Sequence, residues 1–281
     1  MPSRTLRRKT RRDTTPAPIA ILTDFGYRDH YVGVLKGVID TIAPEARVID
    51  ISHGIPPQSV VAGAMALQQS WRFFPKQTVF LVIVDPGVGS ARKPLAIETR
   101  AGARFVGPDN GVMSLAGNDA GILQIVELRE PKYRLKEVSS TFHGRDVFAP
   151  AAAWLSTGVR LSALGPATDK MKHLSIPLAT RRDDTISGEV IYLDGFGNMV
   201  TNIPRAMLDE LAGSFRASRL LVRIETGATM EIFQAYADAP TGVPLALLGS
   251  FELLEIAIRD GSAASFFGSG EGAPVTVIAS T

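Results

Sequence analysis

The sequence predicts an α/β protein in two parts: an N-terminal α/β/α domain with a mostly parallel sheet, and a small C-terminal all-β domain of barrel-like form. Three observations predict it. From residue 19 to 175, short runs of β-branched and large apolar residues alternate with stretches whose apolar residues recur at helical spacing, the pattern of successive strand and helix units. From 185 to 281 the pattern changes to strands alone, in GEVIYLD, RLLVRIE, ATMEIF, PLALLGS, LLEIAI and APVTVIAS, and short strands divided by turn residues suggest a barrel or sandwich. Between the two, residues 176–184 carry a proline and the run Arg181, Arg182, Asp183, Asp184 with little periodicity, which reads as a linker.

Each element follows from its local pattern. Ile19 to Thr23 is a short strand ending in Asp24, Phe25 and Gly26, so a carboxylate stands at the strand's end; on these residues alone Asp24 is equally a helix N-cap for the segment that follows. Tyr31 to Ile42 spaces Val34, Leu35, Val38, Ile39 and Ile42 as a helix, and Pro44 ends it. Arg47 to Ser52 forms a second strand, followed by HGIPPQ. His53 has two readings, catalytic base or turn residue, and the loop position with its double proline favours the turn. Ser59 to Trp71 is a further helix, closed by RFFPKQ. Arg104 to Val106 is a short strand before GPDNG, whose Asp109, Asn110 and Gly111 signal a turn with Asp109 a candidate to face a site. Ile122 to Leu128 has apolar spacing compatible with either element type.

The stretch TVFLVIVDPGVGSARKPLAIE, Thr78 to Glu98, organises the rest. Val79 to Val84 makes a strand buried on both faces, as in a parallel sheet. The strand stops at Asp85, Pro86 and Gly87 turn the chain, and Gly89 with Ser90 keeps the loop small enough for a ligand to approach the backbone. Arg92 follows. Open α/β sheets bind ligands at the carboxyl ends of their strands, so carboxylate, glycine-rich loop and guanidinium form a candidate site. A capped turn with a surface ion pair explains the same residues. Further on, Phe142 to Asp146 feeds VFAPAAAWL, a helix whose N-terminal N–H groups would favour negative charge near His143, while Arg145 and Asp146 read as a structural pair.

Composition narrows the function classes. Hydrophobic content of 45% and charged content of 21% fit a folded globular protein. The absence of cysteine removes disulfides, thiolate metal sites and cysteine nucleophiles, and is compatible with a reducing cytoplasm. The 4 histidines, at 30, 53, 143 and 173, show no metal-ligand spacing, so no metal is expected. The net charge of +2 is concentrated in residues 1–18, where Arg4, Arg7, Arg8, Lys9, Arg11 and Arg12 face Asp13 alone. That basic segment reads as a solvated, disordered arm rather than a nucleic-acid binder. It lacks the apolar core of a signal peptide, and no stretch has the apolar length of a membrane span. A Walker loop or dinucleotide fingerprint is missing from DPGVGSARK.

Four motifs taken together, LTDFG at Leu22 to Gly26, the DPGVGSAR loop, FHGRD at Phe142 to Asp146 and DGFGNMVTNI at Asp194 to Ile203, resemble the S-adenosyl-L-methionine (SAM) hydrolases. These are also called SAM hydroxide adenosyltransferases and are related to the SAM-dependent fluorinases and chlorinases. The resemblance covers nearly the whole chain from Ile19. It implies that Asp85, Arg92 and His143 are the catalytic set of the hydrolase branch, which the halogenases do not keep. It implies too that Asp24 accepts hydrogen bonds from both ribose hydroxyls, that Asp194 binds the methionine α-amino group, and that Asn198 binds adenine or nearby polar atoms. Ser250 matches a position that helps hold the methionine portion, and Tyr236 is an adenine-flanking aromatic or a core residue. In place of the small or polar residue that often follows the serine, this chain has Phe251. Without the resemblance, DGFGNMVTN reads as a hairpin with an Asp-Gly turn.

The resemblance further implies a homotrimer with SAM bound between the α/β domain of one subunit and the β-domain of its neighbour; a cytoplasmic location is expected. SAM is the substrate and no cofactor is expected, because its sulfonium already makes methionine a leaving group. Arg92 and His143 are expected to bind one water, Asp85 to fix Arg92, and attack on the ribose C5′ to release adenosine and L-methionine; direct deprotonation by His143 is the other route. The competing functions are a SAM-dependent chlorinase, for which Gly144 leaves room for an anion but Asp85 repels it, and a SAM or nucleoside binder without turnover.

Overall fold

The structure is a computed structural model that describes residues 15–215 and 219–280. The arm expected over residues 1–18 therefore lies mostly outside the described residues. The chain divides into two compact units, Met1–His173 and Leu174–Thr281.

The first unit is built on a six-stranded sheet. In chain order its strands are β1 (Ile19–Thr23), β2 (Val48–Ser52), β3 (Val79–Ile83), β4 (Pro94–Thr99), β5 (Arg104–Pro108) and β6 (Ile122–Glu127), laid side by side as β2-β1-β3-β5-β4-β6. β2, β1, β3 and β5 are parallel, and β4 alone runs against its neighbours β5 and β6. β1 and β3 are buried along their whole length, which is why they read as unbroken apolar runs rather than alternating ones. Among the described residues of this unit are the α-helices α1 (Tyr31–Ile42), α2 (Val60–Ser70), α3 (Ser114–Ala120) and α4 (Ala149–Ser156). α1 and α4 contribute Leu35, Ile39, Ala151, Ala152 and Leu155 to a core shared with Ile19, Ile21, Leu81 and Ile83 of the sheet.

Several expectations change here. α1 begins after His30 with no side-chain cap, so Asp24 is not its N-cap. Ser59 caps α2 by accepting from the Ala62 N–H. Ile122–Glu127 resolves as a strand, and β4 pairs where the sequence reading named only a loop continuing to Glu98. Gly144–Phe148 is a π-helical turn, with the N–H groups of Arg145 and Asp146 both donating to the Phe142 carbonyl. The FHGRD segment is thus already helical from Gly144, and these two amides are spent rather than open to an anion.

The second unit is a closed β-barrel. Its strands are β7 (Thr180–Arg182), β8 (Thr185–Leu193), β9 (Met199–Pro204), β10 (Arg219–Ile224), β11 (Thr229–Phe233), β12 (Pro244–Leu248), β13 (Leu253–Ile258) and β14 (Pro274–Ser280). They run β14-β10-β11-β12-β13-β9-β8, and β14 pairs back onto β8 to close a ring of seven, with β7 appended outside β8. Closure leaves no open edge in the ring. β7 falls inside the expected linker 176–184. β9 was hidden within DGFGNMVTNI, and α5 (Arg205–Phe215) and α6 (Ala263–Phe267) were not foreseen. Val190, Met199, Ile203, Val222, Ile256 and Val277 are among the residues that fill the barrel. No helix among the described residues is long and apolar enough to cross a membrane.

Candidate active site

Asp85 stands just beyond β3 and faces Arg92 across the turn. The guanidinium Nε lies 2.9 and 3.0 Å from the two carboxylate oxygens, and Nη2 bonds Oδ2 as well. Both side chains are withdrawn from solvent, at 4% exposure for Arg92 and 5% for Asp85, which removes the surface ion-pair reading. Arg92 Nη2 also lies 2.9 Å from His143 Nδ1, and the guanidinium carbon sits 5.1 Å from the centre of the Phe148 ring, a cation–π contact. Nη1 is buried without a hydrogen-bond partner among the described residues. Two loops far apart in the chain thus converge, one carrying Asp85 and Arg92 and the other His143, and Nη1 of the guanidinium is unspent among the described residues.

Glycine is what brings the loops together. Gly89 has φ +78°, and a Cβ there would come within 2.5 Å of the Ser140 carbonyl oxygen. The open space expected for a ligand is therefore filled by the backbone of the His143 loop. Asp146 anchors that loop from the other side: fully buried, it accepts from the Ser139 N–H at 2.8 Å and from Arg145 Nε at 2.6 Å. Burial pushes its carboxyl upward, but the hydrogen bonds of Arg145 and Ser139 outweigh that and hold it below the ordinary range. Arg145 and Asp146 form the structural pair expected of them. Asn110, not singled out beforehand as a site residue, donates to the Val84 carbonyl at 2.7 Å and so steadies the strand end that carries Asp85. Asp109 Oδ1 accepts from the Lys172 N–H at 2.6 Å.

The Asp24 turn lies against the same loop, through Phe25 packed edge-on against Phe142 with ring centres 6.0 Å apart. Asp24 Oδ2 accepts from the Gln58 N–H at 2.8 Å. On the side where a Gly144 Cβ would point, apolar side chains already fill the space: it would meet Ile83 at 3.2 Å, Phe142 at 3.3 Å and Leu35 at 3.5 Å.

In the barrel unit, Asp194 and Asn198 belong to the hairpin turn between β8 and β9. Asp194 Oδ1 accepts from the N–H groups of Phe196 and Asn198, and Oδ2 accepts from Asn198 Nδ2 at 2.9 Å. The hairpin reading and the paired polar residues are both realised. Ser250 is exposed on the turn from β12 to β13, next to exposed Phe251. Tyr236, 41% exposed, donates to Glu255 Oε1 at 2.6 Å. Burial, followed by that carboxylate, pushes the phenol upward. Glu255, which went unnoticed in the sequence, has its carboxyl raised by burial and, more weakly, by the charge of Asp194.

Comparison with known proteins bears on both units. The N-terminal domain model of the SAM hydroxide adenosyltransferases matches residues 19–165, and the C-terminal domain model of the same family matches residues 188–276. The chain belongs to the SAM hydroxide adenosyltransferase family. Among its relatives, the (R)-S-adenosyl-L-methionine hydrolase of Thermus thermophilus is 38% identical over 93% of this chain and 99% of its own length. A fluorinase of an Actinoplanes species is 27% identical over 85% of this chain and 90% of its own. The crystal structure of an uncharacterized conserved protein from Thermotoga maritima superposes with a TM-score of 0.85 at 36% identity, covering 92% of this chain and 99% of that one. As a SAM hydroxide adenosyltransferase, the chain has Asp85, Arg92 and His143 within the first matched domain, and Asp194, Asn198, Tyr236, Ser250 and Glu255 within the second.

Proposed function

We propose that this protein hydrolyses S-adenosyl-L-methionine to adenosine and L-methionine by attack of water on C5′ of the ribose. The observation that carries this is the Asp85–Arg92–His143 constellation, in which the solvent-withdrawn Asp85–Arg92 pair meets a half-buried His143, with Arg92 Nη1 unpaired among the described residues. Nη1–H of Arg92 and Nε2–H of His143 are two donors able to hold one water and stabilise negative charge as it forms on oxygen. Asp85 locks the guanidinium plane and balances its charge. The new bond joins the water oxygen to C5′; the C5′–S bond breaks with its electron pair going to sulfur, which becomes the neutral thioether of methionine. The water gives a proton to solvent as the bond forms, so the oxygen that joins C5′ has hydroxide character, and its negative charge is what the two donors stabilise. The sulfonium makes an added acid, metal or redox cofactor unnecessary to this step.

In this reading Asp24 takes the ribose hydroxyls, Asp194 the α-ammonium, Asn198 and Tyr236 the adenine, and Ser250 the methionine portion. A homotrimeric assembly and a cytoplasmic location belong to the same proposal, and light scattering and cell fractionation test them. The activity itself is tested by incubating the protein with SAM and separating the products, with and without chloride. Adenosine and methionine in equal amounts, indifferent to chloride, are expected. Formation of 5′-chloro-5′-deoxyadenosine, or SAM bound and returned intact, would overturn the reading.

A further inference from the structure

His53 is fully buried, and the proposed reaction makes no use of it. It lies at the carboxyl end of β2, beside the Asp24 turn, in a chain of polar contacts. Its Nδ1 is 2.8 Å from the hydroxyl of Thr23, itself fully buried. Its Nε2 is 3.1 Å from Asp50 Oδ1. The other Asp50 oxygen receives Lys36 Nζ at 2.8 Å and the Tyr27 hydroxyl at 3.2 Å. Burial pushes the Asp50 carboxyl up, but the bonds of Lys36 and His53 prevail and keep it ionised below the usual range. Nε2 and Asp50 Oδ1 approach closely but without hydrogen-bond geometry, so the directional bond of the ring is the one between Nδ1 and the Thr23 hydroxyl.

The far end of this chain is the Asp24 turn. Thr23 Oγ1 accepts from the Phe25 N–H at 3.2 Å, and the His53 carbonyl accepts from the Gly26 N–H at 2.7 Å. Five residues beyond His53, the Gln58 N–H reaches the Asp24 carboxylate, from a backbone held at φ +66°, a conformation that a non-glycine residue adopts only when its surroundings impose it. The loop from His53 to Gln58 therefore grips the turn on both sides of Asp24, while Asp24 Oδ1 makes no hydrogen bond among the described residues.

We propose that His53 is the positioning residue for Asp24: buried beside Asp50 and bonded through Thr23 and Gly26, it fixes the carboxylate in the orientation that receives a vicinal diol. This inference rests on the reading of Asp24 as the acceptor of the ribose hydroxyls.

Calorimetric titration with adenosine and with 2′,3′-dideoxyadenosine tests it on wild type, His53→Gln, Thr23→Val, Asp24→Ala and the double variant Asp24→Ala/His53→Gln, each checked for its melting temperature. His53→Gln and Thr23→Val should each weaken adenosine by about tenfold, the scale of one misplaced charged hydrogen bond, and leave dideoxyadenosine unchanged. In the Asp24→Ala background His53→Gln should cost nothing more. Equal loss of both nucleosides, or a loss that persists without Asp24, would show a general structural role and overturn the inference while leaving the Asp24 reading intact. Unchanged adenosine binding in Asp24→Ala would overturn the Asp24 reading, and the inference with it.

Discussion

Arg92 Nη2 lies 2.9 Å from His143 Nδ1, and this contact decides which way round the imidazole works. A guanidinium offers only donors, so Nδ1 must accept and the proton of the neutral ring sits on Nε2. His143 presents a donor rather than a base beyond Nε2. The geometry therefore favours water held and polarised by two donors over direct deprotonation by histidine.

The pH dependence follows. Burial lowers the His143 pKa, the Arg92 charge acts the same way, and Asp85 and Asp146 oppose both in part. The folded protein thus resists protonation below the ordinary imidazole value of 6.5. Activity should persist as pH falls through that value and be lost only at the depressed one, where protonated Nδ1 repels Arg92. Stability has the same sign: the unfolded chain takes the proton first, so the contribution is complete above the ordinary value and is lost as pH falls to the folded one. His143→Asn, which offers acceptor and donor without titrating, should retain measurable activity and lose this acid limb. A wild-type kcat/KM profile that already fails above the ordinary imidazole value would contradict the assignment.

Arg92→Lys separates charge from shape. One ammonium cannot replace Nε on both Asp85 oxygens, Nη2 on His143 and a free Nη1 at once. We expect kcat to fall by ~10²-fold or more, as for loss of one oriented donor to a developing anion, with KM changed by no more than a few-fold. Steady-state kinetics on SAM decide it, and a wild-type turnover number in this variant would remove Arg92 from the reaction.

Asp85→Asn keeps the side-chain size and strips the counter-charge from a guanidinium that is 4% exposed. An uncompensated buried charge costs about 3–5 kcal/mol, so the variant should melt well below the wild type in urea or heat, in addition to losing turnover. A variant as stable as wild type would mean that the pair is not buried in solution.

Gly89→Ala tests the loop contact alone. Its φ of +78° and the 2.5 Å approach to the Ser140 carbonyl leave no room for a methyl group, and we expect a loss of about 2 kcal/mol or more with impaired turnover as the His143 loop is pushed away. Gly87→Ala, whose Cβ would first meet the Ser90 hydroxyl at 3.3 Å, should be milder in both respects. Thermal denaturation and kcat, measured on the two variants together, make the comparison; equal effects would refute it.

Much of the protein was legible in its sequence because local periodicity is a local property. The bounds of β1 and α1, the apolar run of β3, the change from mixed elements to strands, and the positions of Asp85, Arg92 and His143 could all be read from residue order. β9 escaped because its residues lie inside a polar motif. β4 escaped because it follows a glycine-rich loop directly, and a short strand so flanked shows no period. What the chain order could not settle were the pairings that burial creates. The glycine expected to admit a ligand admits the Ser140 backbone, and the histidine read as a turn residue is buried between Thr23 and Asp50. Residue types and their spacing set which groups are available and which elements carry them. Only packing, by withdrawing Asp85 and Arg92 from solvent and setting Arg92 between Asp85 and His143, determined their orientation, since a hydrogen bond between loops 51 residues apart has no signature in either loop alone.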